Sequence, residues 1–145
     1  MKAIEIDPRS VTPHYIQVLG TLGFNRYSLG VQDVDPRVQK AVNRIQPTEM
    51  VLETLQACRE AGGKSINIDL IYGIPGSDLK RWETNLDTAI RIFPAHISAY
   101  HLTYEHGSVM EHWKNKKRIY PIGENESFEQ FTTMIDMLEG NDYGH

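Results

Sequence analysis

The stretch "SINIDLIYGIPG", residues 65–76, decides the fold: an aliphatic run carrying one carboxylate is cut off by two glycines and a proline. Ile66, Ile68, Leu70 and Ile71 have the branched, aliphatic character of a strand covered on both faces, which is how parallel strands read when helices flank them. Asp69 has no packing reason to sit in that run. The reading therefore places it toward the carboxyl end of the strand, where ligands of parallel α/β sheets and barrels lie.

If residues 65–72 form a parallel strand, its neighbours in sequence must be helices and further strands. Upstream, Thr48 opens a helix with Met50, Val51, Leu55 and Cys58 on its inner face and Gly62-Gly63 at its end. Before it, "NRYSLGV" (25–31) reads as a strand, followed by Asp35-Pro36 as cap and first-turn proline of a short helix carrying Val38 and Val42. The chain opens with a short strand, "AIEID" (3–7). Thr12 and Pro13 then start a helix with Tyr15, Ile16, Leu19 and Leu22 at helical spacing, stopped by Gly23. Downstream, Asp78 caps a helix through Trp82, Leu86 and Ile90 that Phe93-Pro94 closes, and "HISAYHL" (96–102) is the next strand. Asn125 caps a last helix with Phe128, Phe131, Ile135 and Leu138 inward, while residues 103–123 show no regular pattern. Four strands alternating with helices imply an α/β fold: a parallel sheet joined by right-handed helical crossovers.

With 145 residues the chain fits a single domain, 1–145. It is short of the roughly 250 residues of a closed eight-stranded barrel, so a partial barrel is expected. A strand that starts almost at once and a stop just after a helix read as the two ends of a piece cut from something longer. Fifteen basic against 19 acidic residues, a net charge of −4, give no electrostatic case for nucleic acid, and "WKNKKR" (113–118) is too short a basic cluster to make one. The single cysteine, Cys58, reads as a small apolar residue of a helix. No apolar run approaches the ~18 residues of a membrane span, and no signal peptide opens the chain. A soluble protein of the cytoplasm is the expectation.

Polar residues collect where the strands end. Glu5, Gln32 and Asp69 form two acceptors and one amide along a predicted rim, a pattern suited to the hydroxyls and amines of a sugar or nucleoside. Arg44, in "VNRIQ", can offer a guanidinium fork to a carboxylate. Each has a plainer role to weigh against this: Glu5 as a solvated side chain, Asp69 as a cap for the 73–76 turn, Arg44 as a cation at a helix end. His101, His106 and His112 lack the spacing of a helical ligand pair and a cysteine partner. Asp33 and Asp35 read as turn and cap residues. A nucleophile elbow, a phosphate loop and a G-x-G-x-x-G are all missing, which weakens the reading of an iron-free barrel fragment binding a nucleoside or sugar phosphate.

"IEIDPRSVTPHYIQVLGTLGFNRYSLGVQDVDPRVQKAVNRIQ", together with "SINIDLIYGIPG" and "ISAYHLTYEHGSV", resembles the oxygen-independent coproporphyrinogen III oxidase family of radical S-adenosylmethionine enzymes, which includes a branch of haem chaperones. The "GVQD", "NRIQ" and "NIDLIYGIPG" blocks together carry the resemblance. It implies part of an incomplete (β/α)6 TIM-type barrel with S-adenosylmethionine at the strand ends. By position, Glu5, Gln32, Arg44 and Asp69 match that family's cofactor contacts, and Thr103 falls near a further backbone contact. The family also holds a [4Fe–4S] cluster on three closely spaced cysteines, a motif that precedes the first strand seen here. This chain, with Cys58 alone, is expected to bind no cluster by itself and to perform no radical chemistry.

The resemblance implies a parent protein of porphyrin or haem metabolism. In one reading it decarboxylates coproporphyrinogen III propionates to vinyls, and in the other it carries haem without oxidase activity. "DPRVQKAVNRIQP" leans to the oxidase and "ISAYHLTYEHGSV" to the chaperone, with the balance slightly toward the latter. Porphyrinogen or haem is then the parent's partner. Open strand edges in an excised half-barrel also point to self-association.

Overall fold

The computed structural model describes residues 1–144. Four strands, β1 (Lys2–Ile6), β2 (Phe24–Gln32), β3 (Ser65–Tyr72) and β4 (His96–His101), form one sheet in sequence order. All three pairings are parallel. Between them run α1 (Pro13–Thr21), the short α2 (Pro36–Ala41), α3 (Thr48–Glu60) and α4 (Leu79–Ile92), and α5 (Val109–Asn115) and α6 (Glu124–Glu139) follow β4. No helix among the described residues is long and apolar enough to cross a membrane.

The helix starts are set by the expected caps. Thr12 accepts from the Tyr15 amide, Asp35 from Arg37 and Asp78 from Arg81, each side chain satisfying an amide that the first turn leaves unpaired. Helix α5 lies inside the segment without an expected pattern, although its signal was present. In "SVME", Ser108 accepts from the Glu111 amide at 3.1 Å and Glu111 reaches back to the Gly107 amide at 2.7 Å, a reciprocal cap.

The sheet has one apolar face and one polar face, so the expectation of a strand buried on both sides is corrected. Tyr27, Leu29 and Val31 of β2 and Ile66, Ile68 and Leu70 of β3 pack against Ile16 and Leu19 of α1, Leu55 and Cys58 of α3, and Trp82 and Leu86 of α4. The alternate residues of β3, Ser65, Asn67, Asp69 and Ile71, are only half-buried on the other face. The period of two was legible in "SINID", where polar residues alternate with isoleucine.

Helix α6 docks in part as expected, with Ile135 and Leu138 packed against the core and the Phe131 ring 6.1 Å from that of Tyr72, but its deepest face is rotated from the one expected. Gln130 and Met134 are its buried residues, and Phe128 is 65% exposed. The cause is Gln130, whose side-chain oxygen accepts from the Gly73 amide at 2.9 Å and whose backbone carbonyl accepts from Trp82 Nε1 at 2.8 Å. Two buried bonds fix the rotation of the helix and turn Phe128 outward. The residue preceding α6 is Gly123, without a side-chain cap, so Asn125 is already helical.

Candidate functional site

The register aligns the polar residues of the helix-free face in rows. Glu5 lies beside Ser28, Ser28 beside Asn67 and Asn67 beside His96, and in the next row Gly30 lies beside Asp69 and Asp69 beside Ser98. Asp69 is thus a mid-strand residue, three positions before the end of β3, and not a cap of the 73–76 turn. Its Oδ2 accepts from Ser28 Oγ at 3.0 Å and its Oδ1 from Asn67 Nδ2 at 2.7 Å. Asn67 Nδ2 also donates to Ser28 Oγ at 2.8 Å, and Ser98 Oγ donates to Asn67 Oδ1 at 3.0 Å. A carboxylate has about four lone-pair positions, so this clamp fixes the plane of Asp69 and leaves capacity on both oxygens for donors from a ligand.

At the carboxyl end of β2 the pairing with β3 shifts between Gly30 and Gln32, and Gln32 takes a left-handed φ of 69°. An irregularity of this kind re-aims a side chain, here bringing the Gln32 carboxamide back over Gly30. Arg44 arrives from the other direction. After α2, Asn43 turns the chain at φ 54°, and Arg44 Nη2 donates to the Gly30 carbonyl at 2.8 Å and lies 3.5 Å from Asp7 Oδ1. Asp7 is itself forked by Arg9 at 2.7 Å. The hydrogen bond from Arg9 holds the Asp7 carboxyl below its ordinary pKa, whereas burial lowers that of Arg44 against the pull of Asp7. Two buried polar atoms of this cluster, Gln32 Oε1 and Arg44 Nε, have no hydrogen-bond partner among the described residues. One is an acceptor and the other a charged donor. Both atoms are enclosed by protein, as are Gln46 Oε1 and three others elsewhere that also lack partners among the described residues, so a ligand would meet them only if the two side chains moved.

Gly30 makes this convergence possible. A Cβ at this position would lie 2.9 Å from Arg44 Nη2 and 3.4 Å from Gln32 Nε2, and the backbone there is in a conformation open to other residues. The displaced atoms are the ends of flexible side chains, so Gly30→Ala should leave thermal stability within about 1 kcal/mol of wild type while evicting Arg44 and Gln32 from the rim. Calorimetric unfolding and ligand titration of the same preparation check both halves. A fully retained affinity would show that the close approach has no role.

Of the five residues singled out in the sequence, the fold brings Glu5, Gln32, Arg44 and Asp69 to one region of one face. Thr103 is apart from them, exposed in the loop beyond β4 and on the far side of β3 from Gln32. His101 is used elsewhere, with Nε2 3.1 Å from Ser127 Oγ, and His106 Nδ1 lies 3.4 Å from Glu111 Oε1. A trough of ≈ 670 Å³ runs along the polar face toward the amino ends of the strands, lined by Glu5, Arg26, Ser28, Asn67 and Ser98 among others. Glu5 and the Asp69 partners Ser28 and Asn67 line it, whereas Gln32, Arg44 and Asp69 do not. The Asp69 clamp was not anticipated. Its signal is the polar period of β3, which places Asn67 and Asp69 on one face.

Residues 2–89 match the family model of the Radical SAM superfamily. The chain is 44% identical over 100 residues to the oxygen-independent coproporphyrinogen III oxidase of Helicobacter pylori, a match covering 69% of this chain and 22% of that protein. It is 27% identical over 139 residues to the heme chaperone HemW of Bacillus subtilis, covering 96% of this chain and 37% of the chaperone. Among solved structures, coproporphyrinogen III oxidase (HemN) from Escherichia coli, a radical SAM enzyme, superposes with a TM-score of 0.87 at 29% identity, over 98% of this chain and 32% of that one. The chain therefore spans between about a fifth and somewhat over a third of the length of these relatives.

Proposed function

The chain belongs to the radical SAM superfamily, and we propose that it is the S-adenosylmethionine-binding later part of the barrel of a longer, cytoplasmic protein of porphyrin or haem metabolism. The observation that carries this is the convergence over Gly30 of the Gln32 carboxamide and the Arg44 guanidinium, beside a carboxylate clamped with lone pairs to spare. S-adenosylmethionine has the complementary groups: an ammonium for Gln32, a carboxylate for Arg44, and ribose hydroxyls for Asp69 and Glu5. Thr103 would add a backbone contact from the β4 loop. Together with a [4Fe–4S] cluster, the cofactor supplies one-electron, hydrogen-abstracting chemistry.

The residues present fit the nucleoside but not the cluster. Three thiolates are needed, and Cys58 is fully buried in the α3 face, its thiol pushed up to about 12 by desolvation. The work of this chain is to bind and orient. Asp69 would fix the ribose through the geometry imposed by Ser28 and Asn67, and Arg44 would set the direction of the amino-acid end.

For the whole protein, the oxidase reading, oxidative decarboxylation of coproporphyrinogen III propionates to vinyls, is supported by 44% identity to a protein of that name and by the fold match to HemN. The haem-carrier reading is supported by a sequence match to HemW that extends over 96% of this chain, while the fold match to HemN is as complete at 98%. Product analysis of the full-length, cluster-loaded protein with coproporphyrinogen III separates them. Vinyl product establishes the oxidase, and stoichiometric haem uptake without vinyl product establishes the carrier. β1 and β4 each have a single strand neighbour, so this chain by itself should self-associate through those edges.

A further inference from the structure

Behind the rim lies a buried amide lattice. Gln39 of α2 is 4% exposed and Gln46 is 1% exposed. Gln39 Nε2 donates to the Asp33 and Gln46 carbonyls, both at 2.8 Å, and Gln39 Oε1 accepts from the Gln46 amide at 2.9 Å. The Gln39 backbone carbonyl takes the Arg44 amide at 2.8 Å. Gln46 in turn reaches the Gly30 carbonyl at 3.2 Å, the same oxygen that holds Arg44 Nη2 at 2.8 Å. One residue therefore ties the loop that carries Arg44 to the strand end that carries Gln32.

Buried carboxamides are costly unless their groups are met; those of Gln39 are met on both ends, whereas Gln46 Oε1 has no partner among the described residues. An apolar residue would fill the space beneath α2 at lower cost, so Gln39 points to a demand for placement. A local turn would be free to slide, and Arg44, at the end of a long side chain with considerable rotamer freedom, would follow it.

We propose that Gln39 is a positioning residue of the cofactor site: its carboxamide ties Gln46 to Asp33, just past the carboxyl end of β2, while its backbone carbonyl holds the Arg44 amide, and so it fixes the direction from which the Arg44 guanidinium meets the amino-acid end of the ligand. This rests on the reading of the rim as an S-adenosylmethionine site. It makes a demand that general loosening of the fold does not. Weakening should be confined to ligands that possess the amino-acid end.

The test compares the 145-residue chain with Gln39→Met and Gln39→Asn, each first checked by circular dichroism and thermal melting. Binding of S-adenosylmethionine and of 5′-methylthioadenosine, which lacks the amino-acid end, is titrated, and hydrogen exchange of the Gln46 amide and of Arg44 Nε–H is followed without ligand. Gln39→Met should lose tenfold or more in affinity for S-adenosylmethionine, keep that for 5′-methylthioadenosine within twofold, and exchange at both positions at least tenfold faster. Gln39→Asn, with the same chemistry on a shorter arm, should fall between. Equal losses for both ligands, or unchanged exchange, would overturn the proposal, as would unfolding of both variants, which would make Gln39 a residue of the general core. A wild-type chain that binds neither ligand would instead remove the site reading, and the exchange measurement would still decide whether Gln39 braces Arg44.

Discussion

Arg44→Ala and Asp69→Ala, made separately in the full-length, cluster-loaded protein, are each expected to weaken S-adenosylmethionine binding more than tenfold, a loss of about 1.4 kcal/mol or more. For Arg44 the argument is desolvation. The guanidinium is already partly removed from water and its Nη2 is committed to the Gly30 carbonyl, so a ligand carboxylate gains a charge-assisted bond without having to dehydrate an exposed cation. Arg44→Lys should recover little, because a point charge on a flexible stem cannot hold the Gly30 carbonyl and the ligand together. For Asp69 the argument is orientation: Ser28 and Asn67 have already fixed the carboxylate, and its removal also leaves their donors to find other partners. Calorimetric titration reads both losses. If neither variant binds more weakly, the rim does not hold the cofactor.

Asp33→Asn is expected to change how stability depends on pH. Asp33 is 2% exposed, and its Oδ1 accepts from the Asp35 amide at 2.7 Å while Asn85 Nδ2 lies 3.3 Å from its Oδ2. Burial is the chief reason that its pKa rises to about 7 from an ordinary 3.8, with the Asp35 charge adding to it. Between those two values the folded chain holds a proton that the unfolded chain has released. Stability from this group is therefore fully present below pH 3.8 and is lost as pH rises through about 7, by about 4 kcal/mol in all. Asp7 acts in the opposite sense, since its depressed pKa contributes stability that is lost as pH falls, so the comparison belongs above pH 5. Urea unfolding at pH 5 and pH 8 should show the wild type losing about 2–3 kcal/mol more than Asp33→Asn across that interval. Parallel pH dependences would mean that Asp33 is ionised in the fold.

The alternation of strands and helices was legible because each boundary is written in local chemistry: Thr12-Pro13, Asp35-Pro36, Asp78 and Gly62-Gly63 act within a few residues of themselves. Glu5, Gln32, Arg44 and Asp69 were placed together from position in the strand order and from resemblance, and the fold does bring them to one face. Two features that escaped depend on contacts distant in sequence: the Asp69 clamp joins residues 28, 67, 69 and 98, and the rotation of α6 is set by Gln130 meeting Gly73 and Trp82. The Gln39 lattice spans only residues 33–46, but nothing in the sequence of α2 marks one of its polar side chains as buried. The two-sided burial assigned to β3 failed for a different reason. Its aliphatic content is that of a two-sided strand, and only the position of Ser65, Asn67 and Asp69 on one face distinguishes it.

Cys58 gives this chain an internal clock. It is the only thiol in the sequence and is wholly enclosed by the core, with a thiolate form that desolvation makes inaccessible at neutral pH. An alkylating reagent can then react only during the moments when α3 lifts from the sheet. The ratio of labelling rates in buffer and in urea becomes a direct count of those moments, without any engineered probe.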